Sequence, residues 1–209
     1  MGLFKALKET KNLISSTNGV GADAFVGRAL VLDASLGGMA VQMGVEQYRG
    51  VNMRLQIFLD GNPAYIAECH QRVEEWRLGQ LVGQAYAVRV ARDNGQQVTL
   101  DFSIEPPIVT MPPPAPGKGA KATLATGTPA EAVIIASQPL GLRSSEGIDM
   151  VLFQLTVMPV GGAPYQTQVG NPCPPTALPY VFPGSRVPVK LGGAPEDVAI
   201  DWDLAAQPR

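Results

Sequence analysis

Apolar and polar residues alternate in two short segments, one in each half of the chain. Residues 86–90 read Tyr-Ala-Val-Arg-Val, and residues 187–191 read Val-Pro-Val-Lys-Leu. A period of two is typical of a β-strand with one buried face and one solvent face. Pro188 has no N–H to donate to a ladder, so we predict that its strand lies at a sheet edge or carries a bulge.

These segments belong to a longer internal repeat. Each half holds the same strand and turn signals in the same order, which is harder to obtain by chance than a shared composition. The chain is therefore predicted to be a tandem duplication. The corresponding parts are 29–32 with 132–135, Leu36-Gly37 with Leu140-Gly141, 55–59 with 153–157, Tyr65 with Tyr165, and 81–102 with 181–202, where Gly83, Tyr86, Val88, Arg89, Val90, Asp101 and Phe102 align with Gly184, Val187, Val189, Lys190, Leu191, Asp201 and Trp202.

Five short strands in each copy predict an all-β fold of two tandem small barrels of the OB or SH3 kind, because closure removes exposed strand edges. A small sandwich is the alternative. Both copies should end in a β-hairpin, in which Asp93-Asn94-Gly95 and Gly192-Gly193 supply residues that tolerate positive φ. We place the first module at 25–102 and the second at 129–205.

Residues 103–128 are predicted to be a linker rich in proline and glycine. The stretch Met111-Pro-Pro-Pro-Ala-Pro cannot form a helix or a central strand. We expect a semi-rigid extended spacer that becomes flexible around Gly117 and Gly119. A proline motif recognised by another domain is the alternative interpretation.

The first sixteen residues are predicted to form an amphipathic helix. Leu3, Phe4, Leu7 and Ile14 share one face at three-and-four spacing, whereas the lysines lie largely on the other. A short helix of this kind is marginal alone and needs a surface to pack on. These four residues are our candidates for docking, and the surface is the first module, another protein chain or a membrane interface.

Composition and charge narrow the classes of function. Hydrophobic residues make up 45% and charged residues 16%, so the chain can bury a core and fold. The net charge of −2 offers no basic field for nucleic acid, which we regard as a disfavoured partner. No apolar run is long enough to span a membrane, and the N-terminus lacks the pattern of a signal peptide. We expect a soluble cytoplasmic protein, membrane-associated only if the N-terminal helix binds lipid.

Few residues suggest chemistry. His70 is the only histidine and stands in Glu68-Cys69-His70, but successive strand residues point to opposite faces, so the three cannot converge on one ion. Asp101 and Asp201 are interpreted as hydrogen-bonding caps at strand ends. Cys69 and Cys173 fit a reducing compartment, with a single disulfide as the alternative. We therefore predict no catalytic residue, no metal and no cofactor.

The second module also resembles small β-domain repeats of actinobacterial proteins, which often stand beside short oligomerisation motifs of the SHOCT type. The resemblance covers about a third of the chain, from Ala132 to Trp202, and the first module departs from it by lacking the Val-Pro-Val motif and the prolines of the last turn. It implies an architecture and no activity. The residues that carry it are Gly162-Ala-Pro-Tyr165, Pro183-Gly184, Val187-Pro-Val189 and Pro195-Glu-Asp-Val-Ala-Ile-Asp-Trp202.

Duplication without evident chemistry favours a non-enzymatic protein-binding or scaffold protein, which docks through its N-terminal helix and its sheet edges. We expect a protein partner or self-association. A peripheral membrane protein anchored by the helix is one alternative. A small-molecule binder or enzyme that uses a groove between the modules is another.

Overall fold

The structure is a computed structural model that describes Val20 and residues 23–43 and 46–207. The chain divides into two compact units, residues 1–109 and 110–209. The predicted N-terminal helix, with Leu3, Phe4, Leu7 and Ile14, lies outside the described residues.

The first unit contains one antiparallel sheet with the strand order β3-β2-β1-β4-β5. A 3-10 helix, Glu75–Gln80, separates the third strand from the fourth. The strands are β1 (Phe25–Met43), β2 (Glu46–Phe58), β3 (Tyr65–Glu74), β4 (Ala85–Val90) and β5 (Val98–Asp101).

The second unit repeats this arrangement with the order β11-β10-β7-β8-β9, and β6 also pairs with β7. A 3-10 helix, Pro175–Tyr180, again follows the third strand of the meander. The elements are β6 (Val109–Thr110), α1 (Ala120–Thr126), β7 (Thr128–Arg143), β8 (Asp149–Met158), β9 (Tyr165–Pro172), β10 (Arg186–Leu191), β11 (Val198–Ile200) and α2 (Trp202–Ala205).

The prediction of two tandem barrel-like modules is confirmed. In both, the first strand pairs with the second and the fourth, which is the strand order of an OB barrel. The registers also correspond, since Ala29 faces Tyr86 across the first and fourth strands, and Ala132 faces Val187. Both modules end in the predicted hairpin.

Each module buries its own core. Val31 and Leu55 are fully buried in the first, and Ile134, Phe153 and Leu155 are fully buried in the second. The alternation of the strands supplies these residues, because every second side chain of β2, β3, β8 and β9 faces the interior. The two halves are therefore separate folded copies of one unit.

One part of the predicted repeat alignment is wrong by two residues. Val31 pairs with Leu55, and its counterpart Ile134 pairs with Leu155, so Leu55 corresponds to Leu155 and not to Phe153. A shift of two along a strand leaves every side chain on the same face. The hydrophobic pattern alone could not distinguish the two alignments.

The prediction that Pro188 lies at an edge or a bulge is also wrong. Its strand, β10, lies between β7 and β11 and is regularly paired. The proline is tolerated because β11 ends at Ile200, which pairs with Val189. Pro188 therefore lies one residue beyond the last pair of these two strands. Asp201 N still donates to Pro188 O at 2.9 Å, so only the final bond of the ladder is lost.

The hairpin loops differ from the predicted tight turns. Seven residues separate β4 from β5, and Gly95, Gly192 and Gly193 do not adopt positive φ. The loops are held instead by their own backbone, as when Gln97 N donates to Asn94 O at 2.9 Å and Asp197 N donates to Ala194 O at 2.9 Å.

The linker is not extended throughout. Residues 120–126 form α1, which contacts β10 and β11 of the second module. Gly127 follows the helix, and a Cβ there would lie 2.8 Å from Leu191 O and 3.0 Å from the Lys190 Cβ. Glycine at 127 thus allows the chain to pass close to β10 before β7 begins.

A buried side-chain amide closes each barrel at the seam between its two outermost strands. In the first module Gln71 of β3 accepts from Leu100 N at 2.7 Å and donates to Leu100 O at 3.3 Å. In the second, Asn171 of β9 donates to Val198 O at 3.0 Å and accepts from Ile200 N at 3.2 Å. Both amides are almost fully buried and occupy equivalent positions.

Replacing Gln71 with leucine should destabilise the first module by about 2–4 kcal/mol, because it leaves the buried N–H and C=O of Leu100 without partners. Urea unfolding followed by circular dichroism would measure this. In a Trp76→Phe background, the fluorescence of Trp202 reports on the second module alone. Gln56→Leu, on the outer face of β2, is the matched control and should change stability little. Equal stability of wild type and Gln71→Leu would refute the role of the amide.

Candidate functional site

The first module carries a polar cleft of about 510 Å³ on the outer face of its β1-β2-β3 meander. In barrels of the OB type, the face of the second and third strands is a common ligand-binding surface. We define the charged cleft by the residues that line it: Asp33, Ser35, Asn52, Met53, Arg54, Glu68, Cys69 and His70.

Strand register brings the polar side chains of the charged cleft together. Arg54 of β2 lies opposite both Asp33 of β1 and Glu68 of β3, and Asn52 lies opposite His70. All five side chains are exposed, because they alternate with core residues along their strands. Asp33, Arg54 and Glu68 are far apart in sequence, but they form one row of charged side chains across the three strands.

In the part of the chain that the structure describes, the charged side chains of the cleft are not held in close ion pairs. Among the described residues, none forms an ion pair with Asp33, Arg54 or Glu68. His70 is held by Asn52, whose Oδ1 lies 2.6 Å from Nδ1 of the ring. In this contact Nδ1 donates, because an amide oxygen can only accept. The cleft therefore offers a positive group between two negative ones, with a histidine beside them.

Glycine allows the strands to approach closely beside the cleft. A Cβ on Gly50 would collide with Gly37 O and would lie 3.4 Å from the imidazole carbon of His70. Gly37 follows the row of exposed residues on β1, and a Cβ there would collide with the Asn52 amide. Glycine at positions 37 and 50 therefore leaves the space that the side chains of Asn52 and His70 need in their observed positions.

The equivalent face of the second module has no charge at these positions. In the register of the two sheets, Asp33, Arg54, Glu68 and His70 correspond to Ala136, Gln154, Gln168 and Gly170. The core and the seam are the same in both modules, whereas this outer face differs.

The predicted alternation of Glu68, Cys69 and His70 between opposite faces of the strand is confirmed. Cys69 faces the core and is 3% exposed, whereas Glu68 and His70 face solvent. Burial raises the pKa of the Cys69 thiol to about 11, and its Sγ lies 3.3 Å from Gln71 Oε1. Cys173 is likewise a buried free thiol, in the core of the second module.

Asp101 and Asp201 are caps, as predicted. Asp101 Oδ1 accepts from Ser103 N at 3.0 Å, and Asp201 Oδ1 accepts from Leu204 N at 2.9 Å in the first turn of α2. Asp101 also pairs with Arg89 at 2.8 Å. A hydrogen bond from the Ser103 hydroxyl is the largest of the interactions that hold the pKa of Asp101 below its usual value.

The charged cleft was not predicted from the sequence, although His70 and Glu68 were considered. Asp33 and Arg54 carry no local signal, because only the pairing of three strands brings them to Glu68. The proposed docking residues Leu3, Phe4, Leu7 and Ile14 lie outside the described residues, so they stay a prediction.

Comparison with known proteins adds no functional assignment. No family model matches the chain, and no curated protein is similar to it in sequence. Within the described residues, no helix is both long and apolar enough to cross a membrane. In the same part of the chain, no three His, Cys, Asp or Glu side chains are grouped to hold a metal ion.

Neither cysteine should react with Ellman's reagent at pH 8 in the native protein, and both should react in denaturant. Burial shields the sulfurs and raises the pKa of both thiols, which keeps the reactive thiolate scarce. Cys69→Ala leaves Cys173 as the only reporter. Rapid native labelling, or fewer than two thiols in denaturant under non-reducing conditions, would contradict the buried free thiols.

Asp101→Asn should lower the stability of the first module by about 1 kcal/mol at neutral pH, because it removes the charge that Arg89 and Ser103 stabilise. The folded pKa is lowered from 3.8, so this stability is present above that value and is lost as the pH falls through the lowered pKa. Unfolding between pH 7 and pH 2 would measure it. A difference from wild type that is independent of pH would contradict this linkage.

Proposed function

We propose that this protein is a non-enzymatic binding protein, a scaffold whose duplicated barrels present different outer surfaces to protein partners. The observation that carries the proposal is the contrast between the two copies. Their cores and seam amides are equivalent, whereas the face used for binding in OB-type barrels is charged in one copy and neutral in the other.

The two copies share the interior that stabilises each fold. Leu55 and Leu155 fill the same place in the two cores, and Gln71 and Asn171 close the same seam. The exposed residues of the meander contribute little to stability, since isolated surface charges usually have small effects. We attribute their divergence to different partners for the two faces.

The chemistry of the charged cleft favours a protein surface over a nucleic acid. Asp33 and Glu68 flank Arg54 and would repel a phosphate backbone. No Phe, Tyr or Trp side chain lines the charged cleft, so it lacks the aromatic platform on which bases stack in single-strand-binding barrels. A row of alternating sign suits a complementary row of charges on another protein, which gives orientation and specificity.

The N-terminal segment and the sheet edges complete the proposed docking elements. The apolar face of Leu3, Phe4, Leu7 and Ile14 would supply hydrophobic contact that the charged cleft lacks. The outer edges of β3 and β9 could add a strand from a partner where the seam amides do not bridge them.

Exchange of the outer faces tests the proposal. Arg54→Gln with Glu68→Gln gives the first module the residues of the second, and we expect recovery of a stoichiometric partner to fall about tenfold, as for removal of central charge contacts. The measurement is quantitative mass spectrometry of proteins crosslinked to the full chain in its native cells.

The reverse exchange is the matched control. Gln154→Arg with Gln168→Glu makes the same kind of change on the other module and should leave that partner in place. Both variants should melt as the wild type does. Equal recovery with the two variants, or no protein above the level of an unrelated bait, would overturn the proposal.

A further inference from the structure

The second module carries an open, largely apolar groove of about 780 Å³. It lies where the start of β7, the end of β8, β10 and the C-terminal residues meet. Val160 is 88% exposed and Leu204 is 50% exposed at this groove. We define the apolar groove by its lining: Pro129, Ala130, Glu131, Met158, Val160, Pro188, Leu204 and Gln207.

The first module covers the equivalent surface with its own chain. Arg28 lies between Phe58 and Ala87 in the sheet, and both neighbours face outward yet are 8% and 0% exposed. The Arg28 guanidinium donates to Pro107 O at 3.0 Å and to Pro106 O at 3.1 Å. The segment after β5 turns at residues 102–104 and then crosses this face at residues 105–108 without helix or strand, as its consecutive prolines require.

In the second module, none of the described residues crosses the same surface as residues 105–108 do in the first. Glu131 stands in the register position of Arg28, between Met158 and Pro188. After β11, Asp201 caps α2, so the chain turns into a helix. After β5, the first module turns at residues 102–104 and continues as a strap, residues 105–108, that Arg28 binds. Glu131 remains exposed at the floor of the apolar groove.

We infer that the apolar groove binds an extended apolar segment of a partner protein that carries a lysine or an arginine. The segment would occupy the place that residues 105–108 occupy on the first module, with the roles of hydrogen-bond donor and acceptor reversed. This inference rests on the proposed function, because it names the chemistry of one of the scaffold's partners.

The reversal follows from what each side chain can do. The Arg28 guanidinium only donates, and it is matched by two proline carbonyls. The Glu131 carboxylate only accepts, so its partner must donate, either from a backbone N–H or from a basic side chain. Met158, Val160 and Leu204 around it provide apolar contact. An extended proline-containing segment loses little entropy on binding.

Two matched peptides test the inference on the full chain. Both are based on residues 103–110, Ser-Ile-Glu-Pro-Pro-Ile-Val-Thr, with glutamine in place of Glu105. One has lysine and the other has glutamate in place of Pro107. Binding is measured by calorimetry and located by amide chemical shifts.

The lysine peptide should bind the wild type about fivefold more tightly than the glutamate peptide, with shifts at Glu131 and Met158. Glu131→Lys should reverse the preference, a difference of the size expected for one partly exposed charge pair. Leu204→Ser should weaken both peptides. Glu196→Lys, on the hairpin loop of the same module, is the matched control and should keep the wild-type preference.

A preference that Glu131→Lys does not reverse, shifts outside the apolar groove, or no binding of either peptide would overturn the inference. Such a failure is distinguishable from failure of the scaffold function. In the former case the crosslinked partner that depends on Arg54 and Glu68 is still recovered, and in the latter it is not.

Discussion

Closure of each sheet by one buried amide is the interaction on which the rest of the structure depends. The last strand of each module is short, with four residues in β5 and three in β11. Gln71 and Asn171 each satisfy one N–H and one C=O of these strands, which would otherwise be buried without partners. A polar residue in an apolar interior is tolerated here because both sides of its amide are used.

Closure of each barrel from within leaves the exterior free to change. In the first module the outer surface holds the charged cleft and the strap that Arg28 binds, and in the second it holds neutral glutamines and the apolar groove. Duplication followed by divergence of the outside explains both differences. It also explains why the matching residues of the repeat are mostly those of the core, the turns and the seam.

The sequence predicted the strands and their order well, but it did not predict which side chains the pairing of strands brings together. Alternation at 86–90 and 187–191, and the shared order of signals, predicted the strands, the duplication and the closing hairpins. The alignment of residues 55–59 with 153–157 was wrong by two residues, because a shift of two along a strand preserves the alternation. Gln71 and Asn171 break the apolar pattern, so they carried no signal. The charged cleft and the contrast between Arg28 and Glu131 became visible only once strands were paired.

Hydrogen exchange at two amides tests the seam most directly. Leu100 N–H and Ile200 N–H donate to the side-chain oxygens of Gln71 and Asn171 rather than to a backbone carbonyl of the neighbouring strand. If the amides close the barrels, both should exchange as slowly as Leu55 N–H in the middle of β2. Exchange of either at the rate of an exposed loop residue such as Gly61 would show an open seam and contradict the account.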